Sequence, residues 1–494
     1  MHEPGHGGRR AVAGLALAIV ALVAVVRLPS FVHQLYDPDE AAIAAQAISV
    51  RDGGTLYVDA ADRKPPLPPL LYAASFRLTG SDDLRPLHGL AAVALAGAAL
   101  VLALDTRRRH GDAAGWWAAA LMVGGAVAFL PQDAQAANYA HLALLPGALA
   151  VVWARRGTWW SAPAAGVALG AAILCRQSWF IGVVPGALAV ALSFRGRGRA
   201  AVVAVAGFLA ASVATVAAIG FAVPFWDFWR WTFTDNGGFV TSSVAVGRTV
   251  GAFAATVGIF VGLHLTLVAL AAVAGRRRVG QAAAWRDDVD LWLWLAVGLL
   301  AVVAGFRFFG HYWLQALPPV VLLTAPVAAG LAARWKPWAI GGVALPAAVA
   351  FGFAWTPSTF RTLPDPRPLA RYVRAHSAPG QPIWIWGSFP EVYLAADRPP
   401  GGALVHSDFV TGLSGGRAAG PATLADATPG AERQLLAELR AHPPALVIDT
   451  STAGLRHYGH YPLRDFPALD RYLRAHYDKV ALVDGSVVWA PKPR

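Results

Sequence analysis

The sequence predicts a polytopic α-helical membrane protein of about 11 transmembrane helices, followed by a small C-terminal α/β domain outside the membrane. Three observations carry this expectation. Of the 494 residues, 56% are hydrophobic and only 14% charged, and mean hydropathy is +0.47; soluble domains carry about a quarter charged residues. Apolar runs recur over the first 355 residues, most of them near the ~20 residues a helical span needs. The arginines between them come in short clusters, as in cytoplasmic loops.

In chain order the expected spans are 12–31, 86–104, 114–130, 139–153, 160–174, 179–194, 200–223, 250–274, 291–305, 313–333 and 337–355. The first follows Arg9-Arg10 as a signal peptide would, but its apolar run lacks a cleavage site, so it reads as an uncleaved span. The remaining basic clusters (Arg107 to Arg109, Arg155-Arg156, Arg195/Arg197/Arg199, Arg276 to Arg278, Arg334/Lys336) then fall on one side, which is cytoplasmic by the positive-inside rule. The loop at 32–85 and everything after 355 lie outside. The same clustering explains the net charge of +12 without a nucleic-acid partner, since no basic face is interleaved with aromatics. The single cysteine, Cys175, excludes an internal disulfide framework.

The domain plan is therefore a membrane module over 1–355, with its informative first loop at 32–85, and an α/β domain over 356–494. In that tail, helices at 369–376, 431–442 and 468–477 alternate with apolar strands at 383–387, 445–449, 480–483 and 487–489, predicting a sheet with a largely parallel core. Arg371 to His376 and Arg471 to His476 nearly repeat each other.

Charges beside the bilayer that violate the loop bias are the functional candidates. In Asp37-Pro38-Asp39-Glu40, Asp37 reads as a helix N-cap, Pro38 as the first helical residue and Glu40 as the closing member of a capping box. Ile43, Ala47 and Val50 share one face, so the helix is expected to lie on the membrane until Gly53-Gly54 stops it. Asp39 is left for chemistry, facing Lys64 across the same loop. Lys64, before Pro65-Pro66, sits where a helix N-terminus favours phosphate. Arg176 and Arg307, at other external ends, are further phosphate ligands by their fork geometry. Asp59, Asp62, Asp133, Asn138, His141 and His311 are the other polar candidates. His141 and His311 lack metal-ligand spacing, so no metal site is expected and a divalent cation is disfavoured.

Asp39-Glu40 after the first span, Asp59, Asp62 and Lys64-Pro65-Pro66, Asn138-Tyr139, the stretch from Gly305 to Gln315, and Trp386-Gly387 with Glu391-Val392-Tyr393 together resemble the multi-spanning glycosyltransferases of family 39. Their relatives include protein O-mannosyltransferases and the aminoarabinose transferases that modify lipid A. The resemblance implies a GT-C fold in a bacterial inner membrane and a sugar taken from a polyprenyl-phosphate donor on the outer face. The acceptor would be a cell-envelope glycan, a lipid or a protein. It maps the catalytic acidic pair onto Asp39 and Glu40, with Asp39 in the leading position, and the donor-phosphate lysine onto Lys64, and with it Asp59, Asp62, Asp133, Asn138, His141 and His311 are the expected sugar or acceptor contacts. One departure is the segment after Asp133, where relatives carry an Asn-x-Glu and this chain has Asn138-Tyr139-Ala140-His141. The competing readings are a secondary transporter, disfavoured because the charges gather in one external loop and no half-repeat is visible, and a non-catalytic membrane anchor for the tail.

Overall fold

The structure is a computed structural model and describes residues 6–235, 246–278, 282–359, 363–413, 415 and 418–493. The side chain of Arg9 lies outside the described part. Contacts divide the chain into two units, each built from separated stretches: Met1–Tyr36, Arg85–Ala218 and Val250–Arg361 form one, and Asp37–Leu84, Ile219–Thr249 and Thr362–Arg494 the other. The expected boundary at 355/356 put the first loop with the membrane module; the contacts group residues 37–84 with the tail instead.

Among the described residues of the chain, six helices are long and apolar enough to cross a bilayer: Arg10–Val32, Arg85–His110, Arg199–Phe221, Asp287–Phe306, Gly310–Ala329 and Ala333–Ala354. Two runs expected to be straight are broken. Pro131–Leu142 and Leu144–Ala154 meet at 56°, and Thr249–Leu263 and Leu265–Arg278 at 87°. At the second break His264 spends its ring on the bend, with nitrogens 3.0 and 2.8 Å from the carbonyls of Phe260 and Gly125. Hydropathy registers composition, not continuity of the backbone ladder, so neither bend showed in the sequence. Ser161–Cys175 and Gln177–Ser193 are shorter apolar helices.

The second unit is built on a four-stranded sheet of β1 (Ile383–Trp386), β2 (Leu446–Asp449), β3 (Tyr477–Val483) and β4 (Ser486–Pro491), in the order β1-β2-β4-β3. Only β1 and β2 are parallel; β4 runs antiparallel to β2 and forms a hairpin with β3. The expectation of a largely parallel core is corrected accordingly. The two residues between β3 and β4, Asp484 and Gly485, both have positive φ and make a turn too short for a parallel crossover. The near-repeated helices do end alike, each with a histidine ring nitrogen (His376, His476) 2.9 or 2.8 Å from the tyrosine carbonyl four residues before.

The helix Pro38–Arg51 also departs from expectation. It was expected to lie on the membrane, yet Ile43, Ala47 and Ile48 are fully buried, and every residue from Glu40 to Val50 is buried. A helix with small residues on all sides can be enclosed completely, and alanines occupy five of its fourteen positions. Ala45 and Ala60 enter the same core as Leu369, Ile383, Ile385, Val392 and Ile448. The first loop is thus folded into the α/β unit.

Its far end is tied by charge. Arg51 bonds both Asp82 and Asp397, the latter at 2.7 Å. Burial, reinforced by hydrogen bonding and charge from Asp397, pushes the Asp82 carboxyl up to about 7, against the pull of Arg51. Burial opposes ionisation of Asp397 too, but its hydrogen bonds from Asp82 and Arg51 hold it below the usual range. Asp82 therefore keeps its proton in the folded state where an unfolded chain has lost it, and its contribution to stability declines as pH rises from 3.8 to about 7. Asp82→Asn should remove this slope. Melting of the detergent-solubilised protein at about pH 5 and about pH 8 measures it.

Candidate active site

The site is best built from the helix start that its capping residues define. Asp37 adopts an extended conformation and accepts from the Asp39 backbone N–H at 2.9 Å, while the Asp37 N–H donates to Glu40 Oε2 at 3.1 Å. Pro38 supplies the first helical position, with its φ already set. Such a reciprocal box contributes about 1 kcal/mol. It consumes Asp37 and buries Glu40 completely. Asp39 takes no part in capping through its side chain, which points to Lys64 with Oδ1 2.8 Å from Nζ. Both side chains are 29% exposed, so the pair is held yet reachable.

Lys64 stands just ahead of the helix Leu67–Thr79, whose N-terminus is set by Pro66 and the prolines within its first turn. The loop before it is fixed by a residue that no sequence signal marked. Tyr57 is fully buried with φ of 71°, donates from its hydroxyl to the Lys64 carbonyl at 2.7 Å, and accepts at its own carbonyl from Trp231 Nε1 at 3.2 Å. A bulky residue in left-handed conformation costs about 1–3 kcal/mol, and such strain gathers where a loop must be held for function. Next to it the chain pairs with the tail: the Ala61 N–H donates to the Ala403 carbonyl, and Ala61 forms a parallel bridge with Leu404. Arg63 is buried, 4.0 Å over the Phe409 ring and 3.2 Å from Thr428 Oγ1. Burial lowers its proton affinity against the charges of Asp408 and Asp62.

Two expected sugar or acceptor contacts in this loop have local tasks. Asp59 accepts from the Thr55 N–H at 2.7 Å and closes a turn. Asp62 is buried, accepts from the Arg63 N–H at 2.7 Å, and lies 4.0 Å from His406 Nε2.

Within the membrane unit, Asp133, His311 and Arg176 form a buried polar network, and Asn138 and His141 a neighbouring pair. Asp133 Oδ1 receives the His311 backbone N–H at 2.9 Å and lies 2.8 Å from His311 Nδ1. Arg176 donates to Ser178 Oγ at 3.0 Å and to the His311 carbonyl at 3.4 Å, and its guanidinium lies 4.1 Å over the Tyr312 ring. Ser178 in turn donates to Gln315 Oε1 at 2.6 Å. Asn138 caps the turn Tyr139–Leu142, accepting from Ala140 N–H at 3.0 Å, and lies 3.1 Å from His141 Nδ1. Nε2 of His141 is buried and has no hydrogen-bond partner among the described residues. Tyr312, Ser178 and Gln315 were not singled out in the sequence; Tyr312 and Gln315 lay inside a quoted motif, Ser178 outside any.

Gly310 lets the backbone reach Asp133: a Cβ there would stand 2.5 Å from Asp133 Oδ2. Gly310→Ala should therefore break the Asp133–His311 contact and lower stability by about 1–3 kcal/mol, read as a fall in melting temperature. Arg307 is buried between Phe306 and Phe308, which both have φ of 54°. Backbone strain of this kind is commonest at functional sites. Among the described residues, no group of three or more His, Cys, Asp or Glu could hold a metal ion.

Neither family models nor curated proteins match the sequence. Solved structures do match in fold. ArnT from Cupriavidus metallidurans in the apo state aligns with a TM-score of 0.60 over 99% of both chains at 14% identity. Its form bound to undecaprenyl phosphate gives 0.58 over 99% of this chain and all of that one. An Archaeoglobus fulgidus oligosaccharyltransferase, in complex with Zn and sulfate, gives 0.55 at 12% identity over 97% of this chain and 73% of its own. The chain has the GT-C fold.

On this GT-C scaffold the candidates resolve into groups. Asp39 and Lys64 are brought together. Asp133, His311 and Arg176 share one network, and Asn138 and His141 lie beside each other in the turn that packs on residues 310–316. Glu40, Asp59 and Asp62 are drawn into capping, turn and loop contacts.

Proposed function

We propose that this chain is an inverting glycosyltransferase, moving a hexosyl or pentosyl group from a polyprenyl-phosphate donor to a hydroxyl of an extracytoplasmic glycan, lipid or protein. Its setting is a bacterial cell membrane, crossed by about eleven spans, with the first loop and the tail outside. The observation that carries the reading is the Asp39–Lys64 pair, 2.8 Å apart at adjoining helix starts on a GT-C fold. The undecaprenyl phosphate bound to the similar ArnT structure supports the donor class.

The chemistry follows from charge. Asp39 takes the acceptor hydroxyl proton as its oxygen bonds the anomeric carbon. The bond from that carbon to the donor phosphate oxygen breaks, and polyprenyl phosphate leaves with the electron pair. Lys64 stabilises the growing phosphate charge through its amine; the helix that follows opens Leu67-Pro68-Pro69, so of these only Leu67 has a backbone N–H to add. Donor phosphate would draw Lys64 away from Asp39 and free the carboxylate for the acceptor. Arg176 and Arg307 are the further phosphate candidates; the acceptor contacts are assigned to Asp133, Asn138, His141 and His311. Glu40 supports Asp39 by holding the helix start.

One displacement without a covalent intermediate inverts the anomeric centre. NMR of the product from a donor of known configuration tests this: an inverted linkage is expected, and a retained one overturns the single-step mechanism.

A further inference from the structure

A cavity of about 860 Å³ lies in the membrane unit among the helix ends that carry the arginine clusters. None of its lining comes from the loop or the tail. One side is charged, and its carboxylates are already matched. Asp105 lies 2.8 Å from Arg109, Asp290 2.8 Å from Arg155, and Asp287 3.7 Å from Arg195. Asp288 is shared by Arg155, at 3.3 Å, and Arg278. Arg277 also lines the cavity, is exposed, and makes no ion pair among the described residues. It leaves one positive charge in surplus.

The rest of the lining is largely hydrocarbon. Leu192, Leu322, Leu323, Pro326 and Val327 line it. A cavity lined both by charged helix ends and by a helix, Leu317–Ala329, that contributes only apolar residues suits an amphiphile better than a soluble anion, which would leave the apolar wall wet. The helix ends involved are the Arg-rich ones, which the positive-inside rule puts at the cytoplasmic leaflet, where anionic lipids reside.

We infer that this cavity binds an anionic phospholipid-type amphiphile of the cytoplasmic leaflet, its phosphate on Arg277 and Arg278 and its chain along Leu322 to Val327. The shared chemistry is a phosphate on a hydrocarbon tail, available from a glycerophospholipid or from a polyprenyl phosphate. The inference uses the proposed orientation but needs no sugar transfer. Lipid binding read directly thus fails or succeeds apart from the transferase reading.

Native mass spectrometry of the full chain tests it, with phosphatidylglycerol, polyprenyl phosphate and phosphatidylcholine offered separately. Arg277→Glu should cut retention of phosphatidylglycerol or polyprenyl phosphate about 10-fold, the loss of one charge-assisted contact, and leave phosphatidylcholine adducts unchanged. Whichever of the two anionic lipids responds identifies the source. Leu323→Trp, which fills the apolar wall, should lower the same adduct. Arg277 is exposed, so an unchanged melting temperature is expected to accompany the loss. Equal retention of both anionic lipids by the wild type and Arg277→Glu overturns the site, as does displacement of the lipid by inorganic phosphate alone.

Discussion

Asp39→Asn should lower the turnover of sugar transfer about 10²- to 10⁴-fold, the range over which a positioned general base acts. The substitution keeps volume and leaves the Asp37–Glu40 box intact, so the helix start survives. Donor affinity should stay the same or rise, because Lys64 loses the carboxylate that holds it at 2.8 Å. Single-turnover transfer in membranes, set beside equilibrium binding of labelled donor, separates the two effects. A variant that lost donor binding and kept its transfer rate would reverse the assignment.

Lys64→Ala should act on the other half of the pair. A charge-assisted contact to phosphate contributes roughly 1.5–3 kcal/mol, so donor binding should weaken about 10- to 100-fold. Lys64→Arg should recover part of it, since a guanidinium also binds phosphate, but with a fork geometry the loop was not shaped for. The loop itself should persist in both variants, because Tyr57 holds the Lys64 backbone carbonyl and not its amine. Equilibrium titration with polyprenyl-phosphate sugar measures the change, and unaltered affinity would remove Lys64 from the phosphate site.

Composition and charge clustering made the membrane class legible, because burial in lipid constrains every residue of a span. Local patterns were equally readable. Asp37, Pro38 and Glu40 announced the helix start, and the strands of the tail fell within a few residues of their expected places. What sequence order hid was non-local. Nothing in the hydropathy of Ile43 and Ala47 distinguishes a lipid-facing helix from one enclosed by protein, and the helix is enclosed. The antiparallel return of β4 onto β2 depends on a hairpin whose partner lies about 40 residues earlier. Tyr57 was invisible because its role rests on a positive φ and on Trp231, 174 residues away. The candidate site was legible in its residues and in one grouping, Asp39 facing Lys64 across the first loop, whereas Arg176 stacking on Tyr312 and bonding the His311 carbonyl needed the fold.

The central claim is that this protein cleaves the sugar–phosphate bond of a lipid-linked donor. Release of polyprenyl phosphate from a polyprenyl-phosphate sugar by the purified protein in nanodiscs, with an acceptor-bearing membrane extract, measures it most directly. Release is expected from the wild type with at least one of the mannosyl, glucosyl, galactosyl and arabinosyl donors, and little from Asp39→Asn. No release from any of them, or equal release by the two proteins, would contradict it.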